Sequence, residues 1–133
     1  MNLKYYLRGA NNFLRYLIYE FPRGIDFSLR DLSSANLENN GYSLTTKKQL
    51  KNILKDIDFK DKRFLDIGSG KGGVICFAYE LGAYSSKGIE LDTKLHKRAI
   101  KNINILNYGN NVVSENIDAR LFKEYDKFDI FFL

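Results

Sequence analysis

The sequence predicts an α/β fold, a parallel sheet whose strands alternate with helices, and three observations predict it. First, the short apolar run Phe64, Leu65 and Ile67 breaks into the closely spaced glycines Gly68, Gly70 and Gly72 and then into a helical pattern. That order reads as a buried strand, a tight turn and a helix start. Second, strand-like and helix-like segments keep alternating downstream of this corner. Third, Glu90 stands 22 residues after Gly68 at the end of the next strand-like segment, close to the ~20 expected of an acidic residue that accepts hydrogen bonds from ribose hydroxyls. Glycines at such a corner let the backbone turn sharply and let a ligand lie against it, beside the first N–H groups of the following helix.

Three ligand classes use corners of this kind, and the surrounding residues separate them. A phosphate-cradling P-loop needs a glycine five residues before its Gly-Lys pair and a hydroxyl after it; Leu65 and Gly72 occupy those positions. The dinucleotide pattern G-x-G-x-x-G is matched by Gly68, Gly70 and Gly73. Against it stands Asp66, whose carboxylate at the strand tip repels a pyrophosphate and attracts a cation. S-adenosylmethionine carries a sulfonium and an ammonium and no phosphate. The segment Asp66-Ile67-Gly68-Ser69-Gly70-Lys71-Gly72 resembles the D/E-x-G-x-G-x-G motif of class I S-adenosylmethionine-dependent methyltransferases, and the resemblance extends from about Gly41 to the end of the chain. It implies a Rossmann-like sheet, S-adenosylmethionine as cofactor, and contacts to it from Asp66, Gly68, Ser69, Gly70, Gly72 and Glu90.

In chain order, residues 3–21 place Leu3, Tyr6, Leu7, Ala10, Phe13, Leu14, Leu17, Ile18 and Phe21 at three- and four-residue spacing, an amphipathic helix stopped by Pro22 and Gly24. Residues 22–41 lack sustained periodicity and read as a connector with one short helix around Leu29 to Leu37. Thr46 with Gln49 forms a capping box ahead of Leu50, Ile53, Leu54 and Ile57, which predicts a helix over about 47–57. The resemblance adds that a Tyr-x-x-x-Thr-like stretch before the glycine motif, found in methyltransferases that include those acting on protein lysine, lies over the methionine end of the cofactor. Tyr42 and Thr45 take that place here.

After the corner, Val74, Ile75, Phe77, Ala78 and Leu81 continue a helix closed by Gly82, and Ser86 to Leu91 form the second strand. A helix begins at Thr93, with Leu95, Ala99, Ile100, Ile103 and Leu106 on one face and Lys94, Lys97, Arg98 and Lys101 on the other. His96, the only histidine, has no cysteine or second histidine beside it and reads as a solvated position, so no metal site is expected. Asn110 to Glu115 holds a third strand; by the resemblance, Asp118 just beyond it accepts a hydrogen bond from the adenine amino group. Phe128 to Leu133 is an apolar fourth strand. Right-handed crossovers put these strands in the order 3-2-1-4, with the ligand at the switch point.

The chain has 133 residues, room for one modest core. The divisions expected are an N-terminal helical extension, 1–60, and a Rossmann-like cofactor-binding domain, 61–133. A 44% hydrophobic fraction with one proline excludes a disordered chain. The single cysteine, Cys76, excludes an internal disulfide and suits a reducing compartment. No apolar stretch reaches the ~20 residues of a membrane span, and the N-terminus lacks a signal-peptide pattern, so a cytoplasmic protein with no membrane partner is expected. The net charge of +5 is concentrated in residues 1–60, with ten Lys/Arg against six Asp/Glu.

Methyltransferases of this class have seven strands, and their substrate-side motif follows the fourth. The expectation is therefore a truncated cofactor-binding portion with no identifiable catalytic residue, or a chain whose apolar fourth-strand edge pairs with a second copy as a homodimer. The acceptor is expected to be protein or nucleic acid, with protein lysine favoured by the Tyr42 to Gln49 stretch. A second reading is a module that holds S-adenosylmethionine or its demethylated product without turnover, and a third is a nicotinamide-binding domain.

Overall fold

A computed structural model of the chain describes residues 21–27 and 47–133, together with the single positions 14 and 18. The chain divides between Leu44 and Thr45 into two units. In the first, Phe21–Arg23 form a 3-10 turn, Gly24 follows with φ 70°, and Ile25, Asp26 and Phe27 are buried. Leu14 and Ile18, assigned by periodicity to an apolar helix face, are exposed. The rest of the helix expected over 3–21, the connector helix, and Tyr42, Thr45 and Thr46 lie outside the described residues.

The second unit runs α1 (Lys47–Ile53), β1 (Arg63–Ile67), α2 (Gly73–Glu80), β2 (Ser85–Glu90), α3 (Thr93–Leu106), β3 (Val112–Asn116) and β4 (Ile130–Phe132). The four strands form one sheet in the order β3-β2-β1-β4, and every pairing is parallel. The order is the one expected: helices α2 and α3 connect successive strands outward from β1, and the return to β4 crosses to the other side of β1.

α2 is apolar nearly all round, and Gly73 to Ala78 are all buried. It covers the sheet face that carries Phe64 and Ser86, whose hydroxyl donates to Ile75 O at 2.6 Å. Phe64 sits between the rings of Phe59 and Phe132, at centroid distances of 6.1 and 6.3 Å. Cys76 lies within this core, fully buried, and desolvation pushes its thiol up to about 12. On the opposite face Leu65, Ile89 and Phe122 form a second cluster, joined by Ile67, Ile117, Tyr125 and Phe128. Here Lys87 reaches over the Phe122 ring and pairs with Glu115 at 2.7 Å.

α3 is amphipathic, burying Ala99, Asn102 and Ile103. The Asp92 side chain caps it by accepting from Lys94 N at 2.8 Å and Leu95 N at 3.0 Å, and Asn107 ends it in the left-handed conformation with φ 56°.

Several boundaries differ from expectation, each for a local reason. α1 stops at Ile53 rather than 57: Asp56 and Asp58 follow, unfavourable at the negative end of a helix dipole, and Asp58 instead turns the chain by accepting from Lys60 N at 2.9 Å. β2 spans Ser85–Glu90, one residue earlier than expected, and β3 begins at Val112 because Gly109–Asn111 form a 3-10 turn. β4 is only three residues long. Phe128 packs on Phe122 at 6.2 Å instead of extending the strand, and Asp129 is held by Arg63, whose N and Nε donate to Oδ2 at 2.8 and 3.1 Å. His96 is half-buried rather than solvated, with Nδ1 2.9 Å from Ser114 Oγ. Phe131 on the edge strand remains 47% exposed. No helix among the described residues is long and apolar enough to cross a membrane.

Gly88, in the middle of β2, is closely surrounded. A Cβ there would stand 2.3 Å from Ser69 Oγ and 2.5 Å from Ser69 Cβ. The Gly88→Ala variant is expected to lose about 1–3 kcal/mol of stability, the range typical of overpacking, and thermal unfolding beside wild type measures it.

Candidate functional site

β1 ends in Asp66 and Ile67, and the chain then reverses through Gly68–Gly72 into α2. Gly68, Gly70 and Gly72 all have positive φ, at 81°, 53° and 83°, a region that costs L-residues free energy and glycine little. Their surroundings differ. A Cβ on Gly68 would meet nothing within 4 Å, so this backbone faces open space; one on Gly72 would lie 3.2 Å from Ala99 Cβ, so this glycine lets α3 approach the start of α2. The turn is tied to β2, since Gly68 N and Ser69 N both donate to Ile89 O, at 2.9 and 3.1 Å.

The β2 end supplies Glu90. Its Oε2 accepts from Gly70 N at 2.7 Å and its Oε1 from Asp92 N at 2.8 Å. A carboxylate has about four acceptor sites, so each oxygen can accept again from two vicinal hydroxyls. The β3 end braces this position: Asn116 Nδ2 donates to Glu90 O at 2.8 Å and Leu91 O at 3.0 Å, and Ile117 N donates to Glu90 O at 3.1 Å.

Asp66 is 4% exposed and accepts no hydrogen bond from a described residue. Burial first, and the Glu90 charge second, push its carboxyl up to about 7. A buried acid at a strand tip, next to another acid and short of partners, stores an unmet demand for positive charge.

Among the residues singled out by sequence, Asp66, Gly68, Gly70 and Glu90 come together at this corner. Ser69 does not present its hydroxyl there. The side chain is turned against Gly88, buried, with no hydrogen-bond partner among the described residues. Gly72 is turned toward α3. Asp118 sits in the turn beyond β3, and its carboxylate is engaged by Arg120: Oδ1 accepts from Arg120 N at 2.9 Å and Nε at 3.0 Å, and Oδ2 from Nη2 at 2.5 Å. The Arg120 guanidinium holds that carboxyl down at about 2. Tyr42 and Thr45 lie outside the described residues.

Sequence reasoning missed Asn116, Gly88 and Asn102. Asn102 is fully buried on the apolar face of α3 and donates to Lys71 O at 3.0 Å, fastening the glycine turn from behind. Its signal was a polar residue among Leu95, Ala99, Ile103 and Leu106; that of Gly88 was a glycine inside a strand, a mark of close approach.

Asp66 also sets a pH dependence. Its folded value near 7 lies above the ordinary 3.8, so the folded chain holds the proton more tightly than the unfolded one. The resulting stability is fully present below about 4 and is lost as pH rises through 7. Asp118 and Asp129, both held at about 2 by arginine partners, act in the opposite sense and only in acid. Asp66→Asn is therefore expected to melt higher than wild type near pH 8, by roughly 2–4 kcal/mol of stability, with the difference shrinking toward pH 5. Paired melting curves across that range check it.

Comparison with known proteins places this corner. Residues 28–124 match the family model described as Histone methylation protein DOT1. Among solved structures, an RNA methyltransferase from Salinibacter ruber in complex with S-adenosyl-L-homocysteine superposes with a TM-score of 0.59 at 24% identity, over 65% of this chain and 57% of that one. An S-adenosylmethionine-dependent methyltransferase from Mesorhizobium loti gives 0.52 at 24% identity, over 65% of this chain and 38% of that one. Protein arginine methyltransferase 10 from Arabidopsis thaliana gives 0.51 at 23% identity, over 55% and 21%. These likenesses concern the fold, and the chain spans little more than half the length of the first of them and less of the others. No curated protein matches the sequence. With its residues 28–124 matched and its sheet ordered β3-β2-β1-β4, the chain belongs to the Histone methylation protein DOT1 family and has the class I S-adenosylmethionine-dependent methyltransferase fold.

Proposed function

We propose that this chain binds S-adenosylmethionine as the cofactor-holding part of a methyltransferase whose acceptor is a protein side chain. The observation that carries the proposal is the pair of carboxylates at the β1 and β2 tips, Asp66 and Glu90, flanking glycine backbone that opens onto free space. The residues fit the ligand's chemistry. Asp66 offers a buried negative charge to the methionine ammonium, and Glu90 keeps two acceptor sites for the ribose hydroxyls. Gly68 and Gly70 lie around the methionine moiety, and Gly68 leaves it open space beside the main chain. Asp118 is the proposed acceptor for the adenine amino group.

When bound, S-adenosylmethionine supplies a sulfonium methyl group open to in-line attack by a nucleophile. The chain's contribution is to fix where that group lies, since proximity and orientation account for much of such a rate enhancement. Asp66 and Glu90 hold the methionine and ribose parts of one ligand, and the hydrogen bond from Gly70 N keeps the Glu90 carboxylate from rotating away. A protein acceptor is favoured by the histone methylation named in the family description and by the Tyr42 to Gln49 stretch. The homodimer through the β4 edge remains a proposal supported by the exposed, apolar Phe131.

Calorimetric titration with S-adenosylhomocysteine and with NAD tests the cofactor. Binding of S-adenosylhomocysteine is expected, and binding of NAD alone overturns the proposal. Because Asp66 titrates near 7 and the ligand ammonium needs it ionised, affinity should rise about tenfold from about pH 6 to about pH 8, with proton release on binding. Asp66→Asn should flatten that profile and weaken binding. A pH-independent affinity in wild type would remove Asp66 from the site.

A further inference from the structure

α3 carries its charges against the rule for helices. Its first turn has no acidic residue and its last turn no basic one, whereas Lys94, Lys97 and Arg98 fall in the first two turns, at the positive end of the helix dipole. Lys94, Lys97, Arg98 and Lys101 are three or four residues apart, so each repels its neighbours along one stripe. No residue of the helix is acidic. Six acids of this unit are committed elsewhere: Asp118 to Arg120, Asp129 to Arg63, Glu115 to Lys87, Glu124 to Lys127, and Glu90 and Asp92 to backbone N–H groups. Lys94, Lys97 and Lys101 are exposed, and none forms an ion pair with a described residue. Three exposed lysines that repel one another, at a cost in folding free energy, and that pair with no described residue fit relief from outside.

We propose that the Lys94–Lys97–Lys101 stripe of α3 docks the phosphate backbone of a nucleic-acid duplex. The seven residue steps from Lys94 to Lys101 rise about 10 Å along the helix, a length over which duplex DNA presents about six charges. Lysine suits this role as a point charge on a flexible stem. α3 has no aromatic residue, which disfavours stacking on single-stranded bases and insertion into a bilayer. The stripe begins four residues after Glu90 in the chain, so the duplex would lie beside the rim of the proposed cofactor site. The docking itself does not depend on that cofactor reading.

The test compares wild-type chain with two triple variants of equal charge change, K94Q/K97Q/K101Q on α3 and K48Q/K51Q/K55Q among the exposed lysines in and just after α1. Binding to a short fluorescent duplex DNA and to the same duplex in RNA is followed against salt. The α3 variant is expected to lose more than about tenfold in duplex affinity at about 0.1 M salt, and its log–log salt slope to become shallower by about 2–3. The α1 variant should stay near wild type, and either duplex satisfies the proposal. A melting temperature no lower than wild type in either variant, and raised where removal of the α3 charges relieves repulsion, separates this outcome from misfolding, and unchanged S-adenosylhomocysteine binding separates it from failure of the cofactor reading. Equal losses in the two variants would reduce the effect to net charge and overturn the proposal. So would an α3 variant that binds like wild type, or polyglutamate or phosphatidylserine vesicles bound more tightly than duplex with the same lysine dependence.

Discussion

The hydrogen bond from Gly70 N to the Glu90 carboxylate joins the two halves of the candidate site. It links the turn after β1 to the end of β2, and it is flanked by two more bonds from that turn to Ile89 O. Parallel pairing of β1 with β2 brings the turn and the acid to the same edge of the sheet, and the glycine backbone at positive φ lets the N–H point at the carboxylate. The arrangement is braced from β3 through Asn116 and from α3 through Asn102 and Ala99. Four elements, β1, β2, α3 and β3, thus converge on about five residues of backbone, whose position is set by the sheet and not by the loop alone.

That dependence explains why so much was legible in the sequence. The strand order followed from the alternation of elements and the handedness of crossovers, and the corner followed from glycine spacing and Glu90. What the sequence hid were contacts between residues distant along the chain. The partner of Gly88 is Ser69, nineteen residues earlier, and that of Asn102 is the Lys71 carbonyl, thirty-one residues earlier. His96 was misplaced because helix periodicity does not reveal how close β3 runs to α3. The β4 boundary failed for a related reason: Phe128 and Asp129 had partners in Phe122 and Arg63 that outcompeted the ladder.

Asp66 illustrates a trade between folding and use. Burying an acid beside Glu90 disfavours its charged form, and a better-packed neutral residue would suit the fold. Its retention at the strand tip makes sense where a cation arrives to offset that cost. The same reasoning distinguishes it from Asp129, whose arginine partner is already in the chain. Carboxylates of identical chemistry thus fall into two kinds, one paired with an arginine by folding and one buried with no such pair among the described residues.

The burial of Cys76 has a practical corollary. The only thiol of the chain lies fully within the α2 core and is pushed up to about 12, so it stays protonated and shielded from maleimides and other alkylating dyes under native conditions. A spin label or fluorophore attached to a cysteine engineered on the surface would consequently report from a single address without first deleting the native one.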